Sequence, residues 1–188
     1  CSKDAAEAPT VVDETAKVSF TVELPGIVSR ATNDGTTATE LHYAVYQDNG
    51  DNTNTLLFST DVEDQVKTMS GLSTTVELDL VSQQTYDIVF WAQAPGAYDP
   101  DFAAKSVAMN YDSNKVGSNE ARDAFVYVWN NLTVNGSINE TVTLRRPFAQ
   151  LNVALTDGQI EAAQKAGFTL DQVKVSAKTH NAFGFFAA

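Results

Sequence analysis

Lys17-Val18-Ser19-Phe20-Thr21-Val22-Glu23-Leu24, closed by Pro25-Gly26, decides the fold class. Val18, Phe20, Val22 and Leu24 alternate with Ser19, Thr21 and Glu23, so an extended chain carries its apolar groups on one face and its polar groups on the other. A helix would scatter the same residues around its circumference. The stretch therefore reads as a half-buried strand. Pro25-Gly26 ends it, because proline has no amide to donate to a ladder and both residues favour turns.

The same period recurs on moving outward. Leu41 to Tyr46 (LHYAVY) sets Leu41, Tyr43 and Val45 against His42, Ala44 and Tyr46. It runs through Asp48-Asn49-Gly50-Asp51-Asn52 into Leu56-Leu57-Phe58, which predicts a hairpin. Between the first two strands, Ser29 to Thr37 has no apolar periodicity and contains Asn33-Asp34-Gly35, so an exposed loop is expected. Further strands are predicted at Ser73 to Leu80, Thr85 to Ala92, Phe125 to Asn130, Ser137 to Arg145, Phe148 to Leu155 and Leu170 to Ala177. Ile88-Val89-Phe90-Trp91 is continuously apolar, as a central strand covered on both faces should be. From Pro95 to Ser118 repeated breaker residues predict a long excursion with one helical turn near Phe102 to Lys105. Thr156-Asp157-Gly158 caps the single convincing helix, Gln159 to Ala166, with Lys165 late and Gly167 where a left-handed stop is usual. Many short strands and one small helix make the chain mainly β, an antiparallel β-sandwich.

The chain has 188 residues, 43% of them hydrophobic, which is enough for one extensive core. Its 12 Lys and Arg face 24 Asp and Glu, a formal charge of −12. Nucleic acid is excluded as a partner, because affinity for phosphate comes from clustered cations. Anionic membrane surfaces are disfavoured for the same reason. The longest apolar runs, Ile88 to Ala92 and Phe125 to Trp129, have strand length and fall far below the ~18 residues of a spanning helix.

The only cysteine is Cys1, so no internal disulfide can form. One reading is a signal peptide cut immediately before a thiol that then receives lipid; the other is a boundary that happens to fall on a cysteine. Ser2 to Thr15 is small, polar and Pro-containing, which suits a flexible tether. The chain stops inside the apolar stretch Phe183 to Ala188, which leads us to expect further folded protein beyond it. The expected organisation is a tether over 1–16, a sandwich over 17–178 and the start of a second β domain over 179–188.

Catalytic chemistry is sparse. The histidines are His42 and His180, and no nucleophile elbow, zinc motif, phosphate loop or dinucleotide fingerprint occurs. His42 falls on the more polar face of its strand, where a surface imidazole is expected. Acidic pairs such as Glu63-Asp64 or Asp99 with Asp101 occur by chance in so acidic a chain. Asp48 to Asn54 is oxygen-rich, but Gly50 occupies a ligand position and no Glu closes the loop, so a hairpin explains it better than calcium. Asn-x-Ser/Thr triplets at Asn131, Asn135 and Asn139 read as turn residues. No enzyme, no cofactor and no metal are expected.

An N-terminal Cys with an acidic tether, VSFTVELPG, Arg-Ala followed by Asn-Asp-Gly, LHYAVY, IVFWAQ and RRPFAQLNVAL occur here in order. Together they resemble the N-terminal domain of the fimbrillin-like outer-membrane lipoproteins of Bacteroidota, the subunits of type V pili, from Cys1 to about Ala177. Ser2-Lys3-Asp4 is similar to the signals that send such lipoproteins to the cell surface. The resemblance implies a seven-stranded, transthyretin-like Greek-key sandwich, anchored by lipid on Cys1 during export. It also implies removal of the first strand by an arginine-specific protease, so that a neighbouring subunit's strand replaces it. Here that strand is Val18 to Leu24, and Arg30-Ala31 holds the only Arg before residue 122. A cut between Arg30 and Ala31 releases lipid, tether and strand together. The displaceable residues are Val18, Phe20, Val22 and Leu24, and the partners are other pilus subunits, the protease and the outer membrane. The alternative is a permanently anchored surface lipoprotein that binds glycans or host ligands through exposed aromatics, with Trp91, Tyr98 and Trp129 the residues to test, although their strand placement favours the core for the two tryptophans.

Overall fold

The computed structural model describes residues 14–26, 35–63, 65–109, 120–148, 155–169 and 182–186. Its strands are β1 (Thr15–Glu23), β2 (Glu40–Asp48), β3 (Asn54–Ser59), β4 (Lys67–Thr68), β5 (Ser73–Val81), β6 (Thr85–Gln93), β7 (Pro100–Asp101), β8 (Ser106–Ala108), β9 (Ala124–Thr133), β10 (Ile138–Thr143) and β11 (Ala182–Gly184). One-turn α1 (Thr60–Glu63) and α2 (Asp157–Lys165) are the α-helices among the described residues. The fold is mainly β, a sandwich with one short capped helix.

Three sheets stack in layers. The first has the order β10-β1-β5, the second β3-β2-β6-β9 with β4 paired to β2, and the third β11-β8-β7. Between the first two lies the main core. Val18, Phe20, Val22, Val76, Leu80 and Val142 come from one sheet; Leu41, Tyr43, Val45, Ile88 and Phe90 come from the other. The opposite face of the second sheet holds a smaller core of Ala44, Tyr46, Val89 and Trp91 against Phe102, Val107 and Phe185. This explains the continuous apolar run: Ile88 and Phe90 point into one core, Val89 and Trp91 into the other. The central strand expected there is β6, covered on both faces.

β1 runs antiparallel to β5 but parallel to β10, so one ladder departs from the all-antiparallel expectation. After β10 the chain leaves the first sheet and reaches the second, where Val126 and Arg145 exchange backbone hydrogen bonds of 2.7 and 2.9 Å. Beside that crossing, Arg146 Nη1 donates to the buried Asp123 Oδ1 at 2.8 Å and its guanidinium lies 4.6 Å from the Phe125 ring centre.

Most predicted strands form within one or two residues of their expected limits. The Asp48–Asn54 segment is a hairpin loop, with Gly50 N donating to Asp48 Oδ1 and Thr53 N to Asp51 Oδ1. Hydrogen bonds from Thr53, its hydroxyl first, hold the Asp51 carboxyl below its ordinary pKa. The helical turn expected at Phe102 to Lys105 is a tight turn joining β7 to β8, closed by Lys105 N donating to Phe102 O. Helix α2 carries the expected cap at Thr156, whose hydroxyl and amide pair reciprocally with Gln159, and Gly167 takes a φ of +82°. The strands expected at Phe148 to Leu155 and Leu170 to Ala177 fall largely or wholly outside the described residues. Residues 182–186 add β11 to β8 and seat Phe185, 5% exposed, against Phe102 and Trp91.

Candidate functional site

β1 is the first strand of the described fold and lies in the interior of its sheet. All nine of its residues pair with β5, from Thr15 opposite Val81 to Glu23 opposite Ser73. Six pair with β10, from Val18 opposite Ile138 to Glu23 opposite Thr143. Leu24 N donates to Leu72 O and Leu144 N to Glu23 O, both at 2.8 Å, extending the two ladders past its end. Among the described residues neither β5 nor β10 has another partner in this sheet. Without β1 each presents a row of unpaired amides and carbonyls toward the gap.

The inward residues match the sequence expectation one for one. Val18, Phe20, Val22 and Leu24 are all buried, Phe20 and Val22 completely. Phe20 fills a slot whose walls come from the second sheet, with its ring 5.3 Å from Phe90 in an edge contact and 5.6 Å from Trp129. Burial of four such side chains contributes roughly 6–12 kcal/mol, at about 1.5–3 kcal/mol each. That is comparable to the ~5–15 kcal/mol net stability of a whole domain. The outer face is polar, with Lys17 opposite Asp79 and Ser19 opposite Glu77. The space β1 fills thus matches an extended segment with apolar groups at every second position.

Sequence reasoning named the strand but not the walls of its slot. Phe90 and Trp129 come from strands distant in the chain, and the only local signal was that each lies in an apolar strand. Gly35, where the described chain resumes after β1, packs against Phe125 with a φ of +77°, and a Cβ there would lie 3.0 Å from the ring, close enough that the ring would have to shift. Cys1, Arg30 and Ala31, the expected lipid and processing positions, lie outside the described residues.

One other expectation is corrected. His42 is not a surface imidazole: its side chain is 12% exposed, on the face of β2 whose neighbouring residues Ala44 and Tyr46 belong to the second core. Both ring nitrogens are buried without a hydrogen bond, and Glu40 Oε2 stands 3.6 Å from Nε2. Burial lowers the imidazole pKa, and the Glu40 carboxylate offsets part of that effect. Trp91 lies in the core, as its place in the apolar run of β6 leads one to expect, and is not a sugar platform. It is fully buried, its Nε1 donates to Gln93 Oε1 at 2.8 Å, and Tyr98, Phe183 and Phe185 surround it. Trp129 packs against the main core, and the half-buried Tyr98 donates its hydroxyl to Arg122 O.

Among the described residues no group of three or more His, Cys, Asp and Glu side chains could hold a metal ion, and no helix is long and apolar enough to cross a membrane.

Residues 9–187, nearly the whole chain, match a protein family described as a family of unknown function, DUF6562. The chain belongs to that family. No curated protein matches it. Among solved structures it is similar to a DUF1812 protein of Bacteroides thetaiotaomicron, described as a candidate polysaccharide binding protein, with 20% identity and a TM-score of 0.41. That match covers 69% of this chain and 46% of the other. It is also similar to a fimbrial assembly protein of Parabacteroides distasonis, with 17% identity and a TM-score of 0.36, over 70% of this chain and 52% of the other. The chain spans about half the length of each of these two proteins.

Proposed function

We propose that this DUF6562 chain is a surface lipoprotein and the precursor of a type V pilus subunit, acting in cell adhesion through assembly by strand exchange. One observation carries the reading. The first strand of the described fold lies between two strands that have no other neighbour in their sheet among the described residues, and it supplies four of the core's side chains. Loss of that strand leaves a slot that an extended segment of the same pattern fills, restoring main-chain hydrogen bonds on both sides and the alternate pockets together.

In this scheme lipid on Cys1 holds the precursor at the outer membrane. An arginine-specific protease cuts between Arg30 and Ala31, and another subunit supplies the replacement strand. The chain itself performs no catalysis and needs no cofactor. Its partners are proteins and the membrane.

The test is limited digestion of the folded protein with an arginine-specific protease, read by intact mass and N-terminal sequencing. The expected product is a single early cut with a new terminus at Ala31. The 1–30 fragment should stay bound until a labelled peptide of residues 14–26 displaces it. Early cutting at Arg122, Arg145 or Arg146 while Arg30 survives would sink the reading. So would a cut protein that takes up no peptide.

A further inference from the structure

A polar depression of about 540 Å³ opens beside the β2–β3 hairpin, lined by Asp48, Asn54, Asp87, Lys105, Asn130 and Phe186, with no residue of β1 in its walls. Its volume falls within the roughly 300–1,000 Å³ of small-molecule sites. Segments distant in the chain converge on it: the hairpin, the start of β6, the β7–β8 turn, β9 and the residues after β11.

The convergence has a structural cause. In the β6–β9 ladder Tyr86 stands opposite Leu132 and Ile88 opposite Trp129, so Asp87 faces two residues, Asn130 and Asn131. Such a bulge re-aims side chains and is common beside functional sites. Asn131 there takes a φ of +57°, and its amide donates to Asp87 Oδ1 at 2.9 Å. Asn54 Nδ2 donates to Asp87 Oδ2 at 2.7 Å. Lys105, with a φ of +56°, reaches Asn54 O at 3.4 Å and also contacts Asn54 Oδ1. Its ammonium lies 5.7 Å from the Tyr46 ring centre and 5.8 Å from that of Phe186. Of the four non-glycine residues with left-handed backbone among the described residues, three, Asn52, Lys105 and Asn131, line this depression. Left-handed backbone at a long side chain such as Lys105 costs free energy, and such strain concentrates at functional sites.

The groups select a ligand class. Two carboxylates against one ammonium leave a negative surplus, which disfavours an anion. A bare cation is disfavoured as well, because the Lys105 ammonium shares the space. Both Asp87 oxygens and Asp48 Oδ1 already accept from nitrogen donors. What suits the site is a neutral molecule dense in hydroxyl groups, each able to donate to a carboxylate and accept from an ammonium or amide, with a C–H face for the Phe186 ring. We propose that this depression binds one neutral pyranose ring, free or as a unit of a glycan. Because β1 takes no part, the site is the same before and after any exchange of that strand.

Saturation-transfer NMR on the full chain with glucose, galactose, mannose and N-acetylglucosamine tests the assignment. Asp48→Asn and Asn130→Ala are the variants, since Asn130 is exposed and Asp48 only half-buried. At least one sugar should show transfer at its ring protons, with a dissociation constant on the order of millimolar, and each variant should weaken binding about tenfold, as expected for a lost hydrogen bond. Thermal midpoints should not move. Absence of transfer from all four sugars would overturn the proposal, as would transfer undiminished in both variants. Displacement of the sugar signal by equimolar calcium chloride or sodium phosphate would overturn the neutral class.

Discussion

Replacing Phe20 by alanine empties the slot between Phe90 and Trp129 at the centre of β1. The ring is completely buried, 5.3 Å from Phe90 and 5.6 Å from Trp129. Truncating a buried Phe costs about 3–5 kcal/mol, part of it for the cavity left behind. Two ring contacts, each worth about 0.5–1.5 kcal/mol beyond area, place this site in the upper part of that range. Collapse is hindered too, because ladders hold the backbone on both sides and Val18 and Val22 are stiff at χ1. A loss of about 4 kcal/mol, divided by a urea slope of about 2 kcal/mol per molar, moves the unfolding midpoint down by about 2 M. Tryptophan fluorescence follows the transition, with Trp129 adjacent to the mutated site. Thr21→Ala, on the outward face of the same strand, should cost less than about 1 kcal/mol. Should Phe20→Ala prove too unstable to measure, Phe20→Leu retains most of the volume and should cost about 1–2 kcal/mol. A Phe20→Ala loss below about 1.5 kcal/mol, or one equal to that of Thr21→Ala, would refute the claim that this strand fills an essential part of the core.

Two further predictions follow from buried positions. The His42 imidazole has its pKa held below 6.5, chiefly by burial, with Glu40, Asp61 and Asp99 raising it in part. The fold therefore favours the neutral ring, so the stability it confers is present above pH 6.5 and lost as pH falls through the lower folded value. The loss can reach about 1.4 kcal/mol per pH unit for one proton. His42→Gln should flatten the stability difference between pH 7.5 and pH 5 in urea unfolding; parallel losses in both proteins would count against it. At Gly35 and Gly50, φ is +77° and +78°, but only at Gly35 would a Cβ meet an obstacle, the Phe125 ring at 3.0 Å. Both alanine variants carry roughly 1–2 kcal/mol of backbone strain. Gly35→Ala should lose about 1–3 kcal/mol more through overpacking, read as a lower thermal midpoint; equal midpoints would show that Phe125 gives way freely.

The legible parts of this protein were those with a local period. The alternation of β1, the two-sided apolar run of β6 and the Thr156 cap of α2 each lie within a dozen residues, and each formed as expected. A misreading arose where a second layer decides burial. His42 sits on the face of β2 that looked polar from its neighbours, yet Ala44 and Tyr46 on that face pack in the second core with the layer of Phe102 and Val107. Trp91, expected in the core from its place in the apolar run, is enclosed by the same layer. The Asn-x-Ser/Thr triplet at Asn131 was read as a turn and marks a bulge, which asks for the same left-handed backbone within a ladder.

The residue pattern by itself determined that the chain is a mainly β sandwich, which face of β1 is buried, and where Arg30 lies relative to that strand. Side-chain period and turn chemistry act over a few residues, so one sequence window contains them. The tertiary structure decided that β1 lies between β5 and β10, that one of those ladders is parallel, and that Asp87, Asn54, Lys105 and Asn130 meet around one depression. Those facts depend on pairings between distant segments. What selects such a pairing is the area and hydrogen bonding gained when whole sheets close on one another, a quantity no single stretch of sequence carries.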